Sequence, residues 1–411
     1  WPGLYRESVK IKRGGVPGAR ISLRSVVPGE AVFSGVAEPG VVSGLEWEII
    51  DRGIFRCTPP WPIHLIRLDG KQMFRVPWRG LKGLRRFVAR DKSYPTFCMD
   101  GPNLYLGFSA DDETDYESAL NRLELNAKIQ QAREWGEFGM ANLWIEAGEI
   151  EVDGFVFDFG VGAGINVWDG EGVIIRDCLF TGAQDGIGAG WRLGSCRGLE
   201  VENCAYHHYP LGDWRDEWMS WKDIYGGGGY SHQSLLSCNE SDVSVRRNLI
   251  VDAADGLQIS PGRPGRKSSL VEQNVFLCGS DDAIEVDGNG IDLIIRSNVI
   301  HRFHTGISFS PLHTGPVEVE GNTITTAQNH LHDVALKFLI SRPELPIRNI
   351  HVHHCTFSGG HIAYRPTTSL TDVTMDSNRF FLISEQDTWI PSDEVLKTGN
   401  EIEYADAEAV H

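Results

Sequence analysis

None of the eight cysteines of this chain, at positions 57, 98, 178, 196, 204, 238, 278 and 355, forms a CxxC pair. That argues against a zinc ribbon or a thioredoxin-like motif. No apolar run approaches the roughly 18–20 residues that a membrane-crossing helix needs, so no membrane partner is expected. Positive charge is scarce: 38 Lys and Arg face 56 Asp and Glu, for a formal net charge of −18. Nucleic acid, whose phosphates call for clustered basic side chains, is thereby disfavoured as a partner. A polyanionic polysaccharide is disfavoured less strongly, because a local basic groove can override the net field. A neutral substrate fits best. The chain starts at Trp1 and not at Met. The expectation is therefore a mature product, secreted or periplasmic, whose export signal has been removed. Neither the disulfide state nor the oligomeric state is legible from the sequence.

Glycine, by contrast, is abundant, with 46 in 411 residues, and it recurs at turn-like places. Charged residues at 23% and hydrophobic ones at 41% place the chain among ordinary globular proteins. Residues 1–43 read as short strands: Val9-Lys-Ile-Lys and Arg20-Ile-Ser-Leu-Arg24 alternate, with turns at Gly14-Gly-Val-Pro-Gly18 and Pro28-Gly29. Residues 44–125 change style. Trp47-Glu-Ile-Ile50, Ile63-His-Leu-Ile-Arg-Leu68 and Asn103-Leu-Tyr-Leu-Gly-Phe108 are strands joined by basic and proline-containing loops. They predict a small inserted β-domain.

From about residue 145 the sequence repeats. A pattern apolar-x-x-Asn/Cys-x-apolar recurs, from Ile175-Arg-Asp-Cys-Leu-Phe180 to Met375-Asp-Ser-Asn-Arg-Phe380. Its Asn/Cys position falls at 178, 204, 248, 274, 298, 322, 355 and 378, most often about 24 residues apart. A period of that size with strand-like units marks a solenoid. Stacked Asn side chains can satisfy buried turn backbone, and Cys fits the same small slot, so Cys178, Cys204 and Cys355 read as buried thiols. A second strand follows each copy, as in Gly186-Ile-Gly-Ala-Gly190, Gly256-Leu-Gln-Ile-Ser260, Ala283-Ile-Glu-Val-Asp287, Gly306-Ile-Ser-Phe-Ser310 and Ala335-Leu-Lys-Phe-Leu339. A leucine-rich repeat is the alternative solenoid, but its Leu-x-x-Leu-x-Leu signature is missing.

This phrasing resembles the right-handed parallel β-helix of the pectin-lyase-like superfamily over residues 1–40 and about 145–385. Pro2-Gly-Leu-Tyr-Arg-Glu-Ser-Val9 and the following Gly15-Val-Pro-Gly-Ala-Arg-Ile-Ser-Leu-Arg24 resemble the opening rungs of its bacterial members. Several bacterial β-helix glycosidases, among them a β-xylosidase family, are interrupted by a β-sandwich at a similar place. The resemblance implies an all-β fold: first β-helix strands over 1–43, an inserted β-domain over 44–125, the β-helix with its active face over 126–385, and a cap or tail over 386–411.

The chemistry concentrates in Gly279-Ser-Asp-Asp-Ala-Ile-Glu-Val-Asp-Gly-Asn-Gly290, which holds Asp281, Asp282, Glu285 and Asp287. In a strand, Ile284 and Val286 share one face while Glu285 and Asp287 share the other. If rungs stack in register, Gly188, Gln258, Glu285, Ser308 and Lys337 form one outward column. A second reads Asp185, Asp255, Asp282, Thr305 and Asp333. Asp255, Asp282, Glu285 and Asp287 then converge, and like charges so close raise a carboxyl pKa, as a general acid requires. These four are the catalytic candidates for cleaving a glycosidic bond.

Gln258, Ser308 and Lys337 are candidates for holding the sugar. The 44-residue interval adds a loop from about Tyr206 to Tyr230, followed by His232, that carries Trp214, Trp218 and Trp221. Aromatic rings stack on sugar faces, so Trp214, Trp218, Trp221, Tyr230 and His232 are further substrate-binding candidates. The alternative is a short helix packing that aromatic stripe on the solenoid. His207, His208 and His232 lack a carboxylate at fixed offset, so no metal site is expected there.

The reading is a glycoside hydrolase acting on a carbohydrate without a cofactor. Its rival is a polysaccharide lyase on the same fold, which the resemblance equips with a Lys or Arg base and often calcium. Lys337, Arg246, Arg247 or Arg263 could be that base, and the acidic cluster could hold the calcium. A non-catalytic carbohydrate-binding β-helix is the third reading.

Overall fold

The computed structural model describes residues 1–76, 80–88, 95–108, 116–127, 141–190, 196–208, 234–310, 312–326, 334–339, 346–359, 361–364, 370–382, 395 and 398–404. Its main body is a coil of parallel strands in which each turn visits three sheets. One turn passes from Leu257–Ile259 in the first sheet to Ser269–Glu272 in the second. It then bends at Asn274 and enters the third sheet with Val275–Glu285. That strand does not end at the corner but runs on into the first sheet, where Gln258 pairs with Glu285. The sequence places a separate strand at Ala283–Asp287; the structure instead ends the long strand at Glu285 and leaves Asp287 just beyond it.

The bend between second and third sheets explains the Asn/Cys period. The residue before each ladder position is left-handed, with φ of 51° at Asp177, 56° at Gln273, 53° at Ser297 and 54° at Ser377. That backbone turns N–H and C=O groups inward, where water does not reach them. Asn298 answers this need on both sides. Its Nδ2 donates to Val271 O at 3.0 Å and to Asn322 Oδ1 at 2.9 Å, while its Oδ1 accepts the backbone N–H of Asn274 at 3.0 Å. Asn248, Asn274 and Asn322 repeat the pattern. Cysteine substitutes in kind: Cys355 Sγ donates to Val319 O at 3.7 Å and accepts from the Asn322 backbone at 3.4 Å. All eight cysteines are free thiols, and Cys178, Cys204 and Cys355 are buried as expected.

The ladder runs on into residues 386–411, the segment expected to be a cap or tail. Asn400 Oδ1 accepts from Asn378 N at 3.0 Å, and Glu401–Tyr404 pairs in parallel with Arg379–Leu382. Residues 386–411 therefore include one more rung, whose pattern escaped notice because Lys397 stands where the repeat has an apolar residue.

Inside the coil, equivalent apolar positions stack. Phe157 lies on Phe180 with ring centroids 5.3 Å apart, and Phe357 on Phe380 at 4.9 Å. Outside, the second sheet carries a column that alternates in charge rung by rung: Arg24, Asp153, Arg176, Glu202, Arg246, Glu272, Arg296, Glu320. A single exposed ion pair contributes only about 0–1 kcal/mol. The column instead favours the native register, because a slipped strand would carry each charge away from the opposite one beside it.

Residues 44–125 form separate sheets with their own core. A five-stranded sheet orders Glu48–Asp51, Ile54–Cys57, Asn103–Gly107, Thr96–Asp100 and Phe74–Arg75. A three-stranded one joins Leu123–Leu125, Ile66–Leu68 and Lys71–Gln72. Phe55, Ile66, Phe97, Leu106 and Leu125 pack between them. Arg67 ties this unit to the coil: its guanidinium bonds both carboxylate oxygens of Asp158, at 2.7 and 3.1 Å, and lies over the Phe159 ring.

Candidate active site

The first sheet carries an outward column running Lys10, Trp144, Asn166, Gly188, Ser237, Gln258, Glu285, Ser308 and Lys337. It contains the column expected from sequence, with one correction. Gly188 pairs with Ser237, and Ser237 with Gln258. The strand Ser234–Cys238 is hidden in the sequence because it follows the long insertion and not the Asn/Cys motif directly. The column through Asp282 and Thr305 also needs correction, since Thr305 pairs with Val334; Asp333 lies outside the described residues.

Ile284 and Val286 point into the core and are fully buried, which leaves Glu285 and Asp287 on the outer face as expected. The corner before them is irregular, with a register shift between Gly279 and Asp282. Gly279 allows it: a Cβ there would sit 2.0 Å from the buried Phe303 ring. Strand alternation would separate neighbouring Asp281 and Asp282 to opposite faces. The irregular corner instead brings an oxygen from each, and one from Asp255, to within 4.8 Å of one another. Asp281 is thus a member of the cluster that period-two reasoning passed over.

Asp282 is 1% exposed, and both of its oxygens accept from Lys337 Nζ at 2.7 Å. Its backbone N–H donates to Asp255 Oδ1 at 3.2 Å. Burial pulls the Lys337 ammonium down, but Asp282, Asp281 and Glu285 outweigh it and hold its pKa above the usual lysine value. Lys337 is therefore the countercharge of the acidic cluster. With that ammonium across Asp282, the three aspartates are a poor fit to calcium, which needs six to eight oxygen ligands.

Burial raises the Glu285 carboxyl well above its ordinary value, and Asp255, Asp287 and Asp282 add repulsion. Burial also raises Asp287, to about 6, although the hydrogen bond from Glu285 and the charge of Lys337 pull it back. The two form a hydrogen-bonded pair in which Glu285 holds the proton and Asp287 accepts it. Around them, Gln258 Oε1 accepts from Ser237 Oγ at 2.6 Å. Ser308 is fully buried, and its Oγ has no hydrogen-bond partner among the described residues.

The structure brings Asp255, Asp282, Glu285, Asp287, Gln258, Ser308 and Lys337 onto one face of the coil. Trp214, Trp218, Trp221, Tyr230 and His232 lie outside the described residues, in the segment joining His208 to Ser234. His208 is buried beside Tyr206, and burial lowers it to about 3, so it is a neutral core histidine. The lyase candidates Arg246 and Arg263 are ion-paired to glutamates, Arg246 on the second sheet with Glu202 at 3.6 Å and Arg263 with Glu240 at 2.8 Å.

Among known proteins, the model of the family described as right handed beta helix region matches residues 144–335. A solved structure described as the complex of XylC with xylose is similar over 98% of this chain and 80% of its own, at 12% identity and a TM-score of 0.54. The tailspike protein of E. coli bacteriophage HK620 in complex with a pentasaccharide is similar over 65% of this chain and 49% of its own, at 12% identity and a TM-score of 0.43. The comparison with curated proteins found no match. Stacked parallel sheets, the Asn ladder and the family match over residues 144–335 together make this chain a right-handed parallel β-helix carrying an inserted β-domain.

Proposed function

We propose that the protein is a glycoside hydrolase whose acid and base are Glu285 and Asp287. The observation that carries this reading is the half-buried, hydrogen-bonded carboxyl pair on the outer face of the first sheet, with both pKa values raised. The Glu285 carboxyl, raised beyond the ordinary glutamate range, holds its proton and donates it to the leaving glycosidic oxygen. Asp287 is ionised above about 6 and serves as base or nucleophile. Retaining and inverting pairs stand about 5–5.5 and 6.5–9.5 Å apart, wider than a direct hydrogen bond. A glycosidic oxygen entering as the new acceptor for the Glu285 proton opens the pair to make room. Asp282, enclosed by Lys337, acts as a positioning residue that holds the local charge.

The substrate class is a neutral oligo- or polysaccharide, in keeping with the acidic cluster and the net charge of −18. The xylose held by the XylC structure supports a sugar ligand for this fold. A lyase needs a base that is free of its proton, and the raised Lys337 is poorly suited to that work. Incubation with neutral glycans and with uronate polymers is the test. New reducing ends from neutral glycans are expected; an unsaturated uronate product, seen by its ultraviolet absorbance, would overturn the assignment.

The same pair sets a pH profile. Activity rises as Asp287 ionises near pH 6 and falls at higher pH as Glu285 loses its proton. Because the Lys337 charge lowers Asp287, Lys337→Met is expected to move the acid limb to higher pH. A limb that stays in place in the folded variant would separate Lys337 from the reacting pair.

A further inference from the structure

We infer a second site, for a transition-metal ion of the zinc class, on the second sheet and separate from the carboxylate cluster. Its ligands are His351 and His353 on Ile347–His353 and Glu318 on the neighbouring Val317–Glu320. Residues two apart on a strand share a face, so His351-x-His353 presents both imidazoles to one side, and their rings stack with centroids 4.4 Å apart. Register then sets Glu318 beside His351. One ligand atom from each of the three lies within 4.8 Å of the others. The His351 Nδ1 and Glu318 Oε1 atoms are 3.0 Å apart, and His353 Nε2 also meets Glu318 Oε1. Metal–ligand bonds of about 2.0–2.2 Å in a tetrahedron separate ligand atoms by roughly 3.3 Å, so small side-chain shifts admit the ion.

The surroundings prepare His351 as a ligand. Its Nε2 faces Asp376 Oδ2 at 2.7 Å, on the next strand of the sheet. With its Nε2 proton turned to that carboxylate, His351 would offer Nδ1 to an ion beside Glu318. A carboxylate behind a histidine is the usual support of a zinc-bound imidazole. Two imidazoles with one carboxylate favour zinc, copper or nickel over calcium and magnesium, which prefer oxygen throughout. His351 is the more exposed of the pair, its side chain 40% accessible, so an ion has a path from solvent and room for water as fourth ligand. The bound ion clips two adjacent rungs near the C-terminal end of the coil.

Zinc alone, added to the metal-stripped full chain, tests this by calorimetry and by thermal unfolding with and without chelator. One zinc per chain is expected, together with an unfolding temperature that rises with zinc concentration. His351→Gln/His353→Gln is expected to lose both effects, and Asp376→Asn to weaken affinity about 10–100-fold. Cobalt(II) in the unmodified protein gives a further readout, a visible spectrum of four-coordinate nitrogen and oxygen ligation, should the double variant fold poorly. Uptake equal in the double variant and the parent, or no stoichiometric uptake at all, would overturn the site. Hydrolysis at Glu285 and Asp287 is expected to be unaffected by the double substitution, so failure here leaves the reading of that pair standing.

Discussion

Glu285→Gln is expected to reduce kcat by about 100- to 10,000-fold, the range that a general acid supplies, while leaving the protein folded and more stable than its parent. The sign follows from the direction of the pKa shift. The folded-state carboxyl is raised by burial and by Asp255, Asp287 and Asp282. The folded state thus holds a proton that the unfolded chain releases at the ordinary glutamate value. The stability contributed by that proton is fully present below the unfolded pKa and is lost as pH rises through the folded one. Glutamine never ionises. The stability gain of the variant should begin near pH ~4.3 and grow until the folded carboxyl ionises. Assays of turnover beside thermal unfolding at several pH values decide it. Lost activity with lowered stability would make Glu285 a structural residue, and retained turnover would support a binding β-helix without catalysis. Asp287→Asn should also lose activity. Its stability gain should begin at the ordinary aspartate value and level off near pH 6, where the folded carboxyl ionises.

Asn298→Ala is expected to lower stability by about 3–6 kcal/mol, because two or three buried polar groups lose their partners at about 1–3 kcal/mol each. The side chain is 1% exposed, and it serves Val271 O, Asn322 Oδ1 and the Asn274 backbone N–H at once. Asn298→Cys should cost clearly less. At positions 204 and 355 the thiol already faces the equivalent carbonyls, Ile175 O and Val319 O, both at 3.7 Å. Asn298→Asp should be worse than Cys, since a carboxylate has no N–H for Val271 O and buries a charge. Midpoints of urea or thermal unfolding give the order, and Cys as damaging as Ala would show that side-chain volume, not hydrogen bonding, holds the ladder.

The repeat was legible because it is a local, one-dimensional constraint. Every turn needs a left-handed residue followed by a small polar or thiol side chain, and this requirement recurs at about 24-residue spacing whatever else the chain does. The face carrying Glu285 and Asp287 was legible for the same reason, since a strand alternates and Ile284 and Val286 must go inward. Rung-to-rung register follows from the alignment of the repeats, which sets Gln258, Glu285, Ser308 and Lys337 in one column.

Tertiary structure alone decided what breaks that regularity. A bulged corner over Phe303 turned Asp281 and Asp282 to the same side, against strand alternation. Lys337, two rungs from Glu285, reached back to Asp282 and became the countercharge of the cluster. Ser237 entered the column from behind an insertion that hides the period. In the sequence, Glu318 lies 33 positions before His351, and only the pairing of neighbouring rungs sets it beside His351 and His353. Periodicity is dictated by backbone needs that every rung shares, and so it is written along the chain. Charge partnership depends on which side chains meet across rungs and around irregular corners, and those distances exist only once the coil is wound.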